Sequence, residues 1–322
     1  MHFRRKFRFF VLLLLIAFAV FYSRFRPWDF GAPLTKVIGK TTGSLCSLQE
    51  AANASLINNE KLHSSHAILV CLDDHTILMQ KKSEQKIYPA SLTKIMTAIT
   101  AIESLPNLEK RITLPASIFS ELYKENASMA GFVPNEKVKA IDLLYGVMLP
   151  SGAECCIGLA DHIAGSEQGF VEKMNQKAEQ LGMKNTHFTN STGLHNENHY
   201  TTVKDLSVLL CYALQNKTFR NIFTSSKYSV APTNKHPDGI TFQSTMFKHI
   251  EDPILDGGEI IGGKTGFTDE AGLCLASLAE KDQKQYILIT TGAKGSHQSE
   301  QYNIDDAYEV YNRLEKKQIV LP

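Results

Sequence analysis

The order of extended and helical patterns limits the fold of this chain more than any other feature: β-rich segments lie towards both ends, and helical periodicity fills the middle. His66–Leu72 and Thr76–Gln80 are apolar and rich in strand-forming residues, and Asp73, Asp74 and His75 join them as a turn. Gly272–Ala279 and Gln285–Thr291 repeat the pattern around the charged turn Glu280–Lys284. Between these pairs, Ile95, Ile99 and Ile102 form one stripe of a helix running from about Ser91 to Glu103. Ile141, Leu144 and Met148 keep helical spacing up to Pro150, and a second helix runs from Ala153 to Ile163. Phe170, Met174, Ala178 and Leu181 line a third, which Gly182 stops. Thr202 and Asp205 suggest a capping box for a fourth, carrying Leu206, Leu209 and Leu210. A last helix runs from about Glu300 to Lys316, a helical stretch around residues 47–60 leads into the fold, and a polar stretch rich in Thr, Asn and Pro, 224–245, precedes the return to strands. Strands at both ends with helices between imply one α+β domain, its sheet completed by the C-terminal strands, with the helices in a lobe and a cleft between lobe and sheet.

The 322 residues, 43% hydrophobic and 21% charged, have the balance of a globular protein with a real core. A formal net charge of +1 argues against a nucleic-acid partner, because phosphate binding calls for a strongly basic surface. The charge is unevenly placed. Residues 1–26 hold six of the 34 basic residues and no acid, so the body carries a formal charge of −5. Four of those cations precede an unbroken apolar run of 14 residues, Phe9–Tyr22. Residues 1–26 therefore read as an N-terminal signal or anchor segment, and the lack of a small-residue cleavage site after the run favours a retained anchor over a cleaved signal. The cations keep the N-terminus inside, which puts the body on the outer face of the membrane. Residues 27–46 read as a stalk.

Cysteine usage does not suggest a disulfide framework. Cys71, Cys211 and Cys274 sit inside apolar runs and read as small buried hydrophobes instead of bridge halves. Cys155 and Cys156 are neighbours, a pairing that would be strained. No Cys-x-x-Cys pair is present to hold a structural zinc ion.

Three short segments could carry chemistry. In Tyr88-Pro-Ala-Ser91-Leu-Thr-Lys94-Ile95, Ser91 and Lys94 are three apart and share one helix face. Ser91 falls in the first turn, where free N–H groups favour a developing anion, and a neutral Lys94 amine could take its proton. Ser83 and Lys86 have the same spacing, so the pattern gains weight only from the Pro-Ala entry and the apolar helix behind Ser91. Pro150-Ser151-Gly152-Ala153 lies at the junction of two helices, where Ser151 could project into a cleft or simply cap the second helix. In Gly262-Gly-Lys264-Thr265-Gly266-Phe267-Thr268, glycines flank a cation and a hydroxyl beside a strand, a combination suited to a substrate carboxylate. The spacing is not that of a phosphate-binding loop.

In this order the three segments resemble the Ser-x-x-Lys, Ser-x-Asn and Lys-Thr-Gly set of the D-alanyl-D-alanine carboxypeptidases, the low-molecular-mass penicillin-binding proteins. Tyr88–Ala98, Leu181–Phe188, Thr192–Leu194 and His199–Thr202 also look like that family, and the likeness covers roughly residues 60–315. It implies a β-lactamase/transpeptidase-like fold: an antiparallel sheet with helices on both faces and an all-helical lobe. It further implies a catalytic domain over residues 47–322, without the C-terminal β-domain frequent in the family.

The implied reaction removes the terminal D-alanine from a peptidoglycan stem pentapeptide. Ser91 is the implied nucleophile and Lys94 the base, with Ser151 bridging Lys94 and Lys264 as a proton relay. The N–H groups of Ser91 and Phe267 are the implied oxyanion hole. Lys264, Thr265, Gly266, Phe267 and Thr268 form the implied substrate-binding strand, and penicillin and other β-lactams would acylate Ser91. No cofactor or metal is implied. The chain departs from the family at Ala153, where Asn is usual; that removes an amide expected to help hold the lysine.

Other readings are a slow-turnover penicillin sensor or wall-binding module, and a β-lactamase. The β-lactamase reading lacks a Glu-x-x-Leu-Asn-type segment between Ser151 and Lys264. A zinc peptidase built on His195 and His199 lacks the His-Glu-x-x-His spacing and a third ligand, and the glycine and asparagines around the pair indicate a loop.

Overall fold

The computed structural model describes residues 46–50 and 60–314. Most of the anchor and stalk expectation therefore lies outside the described residues. Among those residues, no helix is long and apolar enough to cross a membrane.

The described residues open with a short strand, β1 (Gln49–Glu50), then the expected hairpin of β2 (His66–Cys71) and β3 (Thr76–Lys81). A 3₁₀ turn (Ala90–Leu92) leads into helix α1 (Thr93–Ser104). The lobe follows: β4 (Arg111–Thr113), α2 (Ser117–Lys124), β5 (Lys137–Lys139), α3 (Ala140–Met148), α4 (Ala153–Ala164), α5 (Glu167–Gln180), α6 (Val203–Leu214) and α7 (Lys217–Phe223). A second hairpin, β6 (Lys227–Val230) and β7 (Ile240–Gln243), precedes β8 (Ile254–Leu255), the long strands β9 (Gly258–Thr268), β10 (Gly272–Lys281) and β11 (Lys284–Ala293), and helix α8 (Tyr302–Asn312).

Seven strands form the main sheet in the order β1-β3-β2-β11-β10-β9-β8. All neighbours are antiparallel except the edge pair β1 and β3. The N-terminal hairpin joins the C-terminal strands through β2 and β11, with Leu69 opposite Leu288. The apolar run of β2 explains why both faces are covered: a strand with one wet face would alternate with polar residues. Ile68 and Val70 enter the core shared with the helical lobe, whereas Ala67 and Leu69 enter a second core under α8, with Ile304, Ala307, Val310 and Tyr311.

Helix α1 runs through the interior, and every residue from Thr93 to Ile102 is buried. Its polar side chains Thr93, Lys94 and Thr97 find partners inside the protein, in His199 and in the Thr192 and Ser191 carbonyls, as buried polar groups must. Around it, α5 and α6 begin at side-chain caps: Ser166 accepts from the Gly169 N–H, and Thr202 from the Asp205 N–H.

Four expectations need correcting. Cys211 is bonded to Cys46 in a disulfide with a Cα–Cα distance of 6.3 Å, although its apolar surroundings on α6 suggested a free thiol. Burial and bridging are compatible, and the partner lies 165 residues away, beyond any local pattern. Cys46 is thereby part of the folded body and not of a stalk. Gln49 and Glu50 are a strand paired with Thr76 and Ile77, where a helix was expected; residues 51–59 lie outside the described set. Finally, the polar stretch 224–245, set apart from the strand patterns that follow it, contains the β6–β7 hairpin, because its turn-forming residues cluster at 231–239 between two short strands.

Candidate active site

Three elements meet at one point. Ser91 sits in the 3₁₀ turn, so Lys94 follows one turn later in α1 and inherits that helix's burial, with 2% exposure. Ser151 lies between α3 and α4, and Lys264 on β9 is completely buried. Lys94 Nζ donates to Ser91 Oγ at 3.2 Å, Ser151 Oγ lies 3.0 Å from Ser91 Oγ, and Lys264 Nζ donates to Ser151 Oγ at 3.0 Å. Two hydroxyls therefore link two lysines in one hydrogen-bonded chain. The expected bridge differs in detail: the bonds of Ser151 run to Ser91 and Lys264.

Backbone strain marks two of these positions. Ala90 has φ +46° and Ser151 φ +66°, a region that costs an L-residue roughly 1–2 kcal/mol. Such outliers persist where the surroundings over-determine them. Ser151 does not cap α4; the cap position is Gly152, and it makes no side-chain cap bond. The Ser151 hydroxyl faces Ser91 and Lys264 instead.

Ser91 is not the only acceptor for Lys94 among the described residues. Lys94 Nζ donates to the Thr192 carbonyl at 2.5 Å. That carbonyl sits in a loop held on several sides. Glu167 accepts from the Ser191 N–H at 2.8 Å and its hydroxyl at 2.6 Å, Thr97 donates to the Ser191 carbonyl, and the Asn190 side chain accepts from the Thr192 and Gly193 N–H groups. Gly193, at φ +82°, passes so close to the 3₁₀ turn that a Cβ there would lie 2.0 Å from the Ala90 carbonyl oxygen.

Strand β9 approaches Ser91 equally closely. A Cβ on Gly266 would sit 3.0 Å from the Ser91 nitrogen, so the strand and the turn face each other backbone to backbone. Thr265 Oγ1 lies 2.6 Å from Thr245 Oγ1, and the Thr245 N–H donates to the Leu149 carbonyl, which fastens the connection bearing Ser151 to β9. Phe267 packs edge-on against His297 at 5.0 Å. The Thr268 hydroxyl accepts from the Ala271 N–H within the β9–β10 turn.

Burial dominates the electrostatics. Desolvation pushes the Lys94 ammonium below the usual lysine range, opposed by Cys156 and Glu154. Lys264 is held well below that range, first by desolvation and then by the charge of Lys94. An amine that loses its proton readily beside a serine hydroxyl can act as a base towards it.

His195 and His199 go to different partners. His199 is buried against Thr93 Oγ1 at 2.7 Å, and its Nδ1 accepts from the Thr189 N–H, which assigns the proton to Nε2. His195 packs edge-on against Tyr88, with Nδ1 3.5 Å from Glu270. Thr245 and Glu167 carry no motif of their own, and Thr192, although inside a family-like segment, acts through its carbonyl; a carbonyl or a loop brace leaves little trace in residue identity.

The sequence pattern of the D-alanyl-D-alanine carboxypeptidases, peptidase family S11, matches residues 51–295. The chain belongs to that family. Among curated members, it is 30% identical over 227 residues to the D-alanyl-D-alanine carboxypeptidase DacF of Bacillus subtilis, covering 70% of this chain and 57% of DacF. It is 31% identical over 219 residues to a D-alanyl-D-alanine carboxypeptidase of Streptomyces, covering 66% and 75%. It thus spans little more than half the length of the Bacillus relative. The crystal structure of a Streptomyces DD-transpeptidase superposes with a TM-score of 0.71 at 28% identity, over 80% of this chain and 98% of that one. This chain and that structure share the α+β scaffold.

Proposed function

We propose that this member of the carboxypeptidase family is a serine D-Ala-D-Ala carboxypeptidase that trims peptidoglycan stem pentapeptides and is acylated by β-lactams. What carries the reading is the Lys94–Ser91–Ser151–Lys264 chain of hydrogen bonds, buried at both lysine ends.

In this scheme Lys94, uncharged, takes the proton of Ser91 as its oxygen attacks the carbonyl of the terminal peptide bond. The N–H groups of Ser91 and Phe267 stabilise the oxyanion. Ser151 passes a proton to the departing amine of D-alanine and takes its replacement from Lys94, which becomes uncharged again; Lys264, whose ammonium form the substrate carboxylate favours, supplies positive character beside Ser151, with Thr265 adjoining. Thr268 stands at the end of this strand, where its hydroxyl is engaged in the turn. Water then cleaves the acyl-enzyme and returns the proton to Ser91. The N-terminal segment attaches the body to the extracytoplasmic face of the membrane; the cation-led apolar run and a disulfide, a bond of oxidising compartments, support that location.

The deciding experiment incubates the full chain with penicillin and, separately, with a D-Ala-D-Ala-terminated pentapeptide. Intact-mass measurement is expected to show one whole penicillin added at Ser91, and the peptide is expected to release D-alanine. Ser91→Ala should lose the adduct and at least about 10³-fold of the rate. An adduct without D-alanine release favours the penicillin-sensor reading, rapid turnover of penicillin the β-lactamase reading. An unchanged rate in folded Ser91→Ala refutes the proposal.

A further inference from the structure

A carboxylate outside the expected set lies directly behind Ser151. Glu154, in the first turn of α4, is completely buried. Its Oε1 accepts three successive backbone N–H groups, those of Ala130 at 2.7 Å, Gly131 at 3.0 Å and Phe132 at 3.3 Å. Its Oε2 is buried without a partner. The next amide, that of Val133, donates to a second buried carboxylate, Glu136, at 2.9 Å. The loop around 128–133 is thus strung along two acids at a point where no helix or strand holds it.

That loop presses on the connection bearing Ser151. The Ala153 N–H donates to the Ser128 carbonyl at 2.8 Å. A Cβ on Gly152 would lie 2.6 Å from the Ala130 methyl and 2.9 Å from the Ala130 nitrogen. On its other side, the Gly152 N–H donates to the Gly146 carbonyl at 2.8 Å. Ser151, strained at φ +66°, is therefore gripped through the two residues that follow it, and the loop providing one jaw is seated on Glu154. We infer that Glu154 is a positioning residue: by seating the loop around 128–132 it holds Ser151 in the left-handed conformation that aims its hydroxyl between Ser91 and Lys264. This inference rests on the proposed proton relay through Ser151.

The test is a double-mutant cycle on the full chain, with folding checked by circular dichroism and thermal unfolding. Glu154→Ala is expected to lower kcat for D-alanine release by about 30- to 100-fold with KM little changed, the size of effect expected when a reacting group shifts by about 1 Å. Glu154→Gln keeps one acceptor oxygen and should recover most of that loss. Ser151→Ala alone should lower kcat, and adding Glu154→Ala to it should cost little more, because both changes remove the same contribution. A general loss of structural integrity would instead multiply with the Ser151 loss. Should Glu154→Ala not fold, Gly131→Ala replaces it in the cycle: its methyl meets nothing within 4 Å, but φ +108° is unfavourable for alanine, so it strains only the seated loop. It too should lower kcat without compounding the Ser151 loss. The inference is overturned if Ser151→Ala loses activity while the tested loop variant keeps the parent kcat, or if the two losses multiply. A fully active Ser151→Ala variant would remove the relay and this inference together.

Discussion

Two amines out of water, joined through two hydroxyls, repel each other's protons. Lys94 and Lys264 are both held below the ordinary lysine range by desolvation, and the charge of Lys94 pushes Lys264 down further. The sign of the pH effect follows. If Lys94 is the base, the rate is lost as pH falls through its lowered pKa and the amine gains a proton. The carboxylate of bound penicillin favours the charged form of Lys264, and removing that cation raises the Lys94 pKa, so Lys264→Gln should move the acid limb of Ser91 acylation by penicillin to higher pH. The same change removes a charged hydrogen-bond donor and should lower kcat/KM by about 10- to 150-fold. Stopped-flow acylation rates across pH check both, and an unmoved acid limb would show that the lysines are not coupled. Ser91, Lys94 and Lys264 could be singled out from the chain because their chemistry resides in side chains at telling spacings. The Thr192 carbonyl that takes up Lys94 could not, since every residue has one.

Helix α1 owes its place to the loop behind it as much as to its own sequence. His199 ties the two together through Thr93, and burial drives its pKa down to about 4. The ring is neutral in the fold but takes a proton near pH 6.5 when unfolded, so stability is lost as pH falls from about 6.5 towards about 4. The loss amounts to about 3 kcal/mol over that window. Urea unfolding at pH 7 and pH 4.5 should show it in the parent chain and a much smaller pH dependence in His199→Phe; equal dependence would remove His199 from the account. Helices α1 and α3 to α6 were readable from their apolar spacing, and at α6 the cap agrees with it, at Thr202 and Asp205. Strand β9 was harder to read. Its glycines at 262, 263 and 266 weaken any strand pattern, and they are there because Phe223, Met246 and Ser91 come too close for side chains.

On the scale of the molecule, the sheet pairs β2 with β11, from opposite ends of the described residues, while the lobe between them supplies Ser151. That architecture was legible because β2 and β11 are both strongly apolar, whereas the covalent link from Cys46 to Cys211 was not, for want of any local signal. A cross-link spanning 165 residues should stabilise the fold by about 2–5 kcal/mol. The other four cysteines are buried free thiols, and burial raises the pKa of each, that of Cys156 to about 12. Thermal unfolding with and without reductant should therefore report this one bond, and Cys211→Ser should match the reduced parent; identical melting curves would show that the link does not contribute.

The same bond has a consequence for how the protein breaks. It closes a ring of polypeptide from Cys46 to Cys211 that includes Ser91, Lys94 and Ser151, while Lys264 lies on the tail beyond it. A protease that nicks the ring once leaves both pieces on one molecule, which on a denaturing gel migrate apart only after thiol treatment. A nick between Cys211 and Lys264 has no such tether, and unfolding alone then parts the nucleophile from its distant cation.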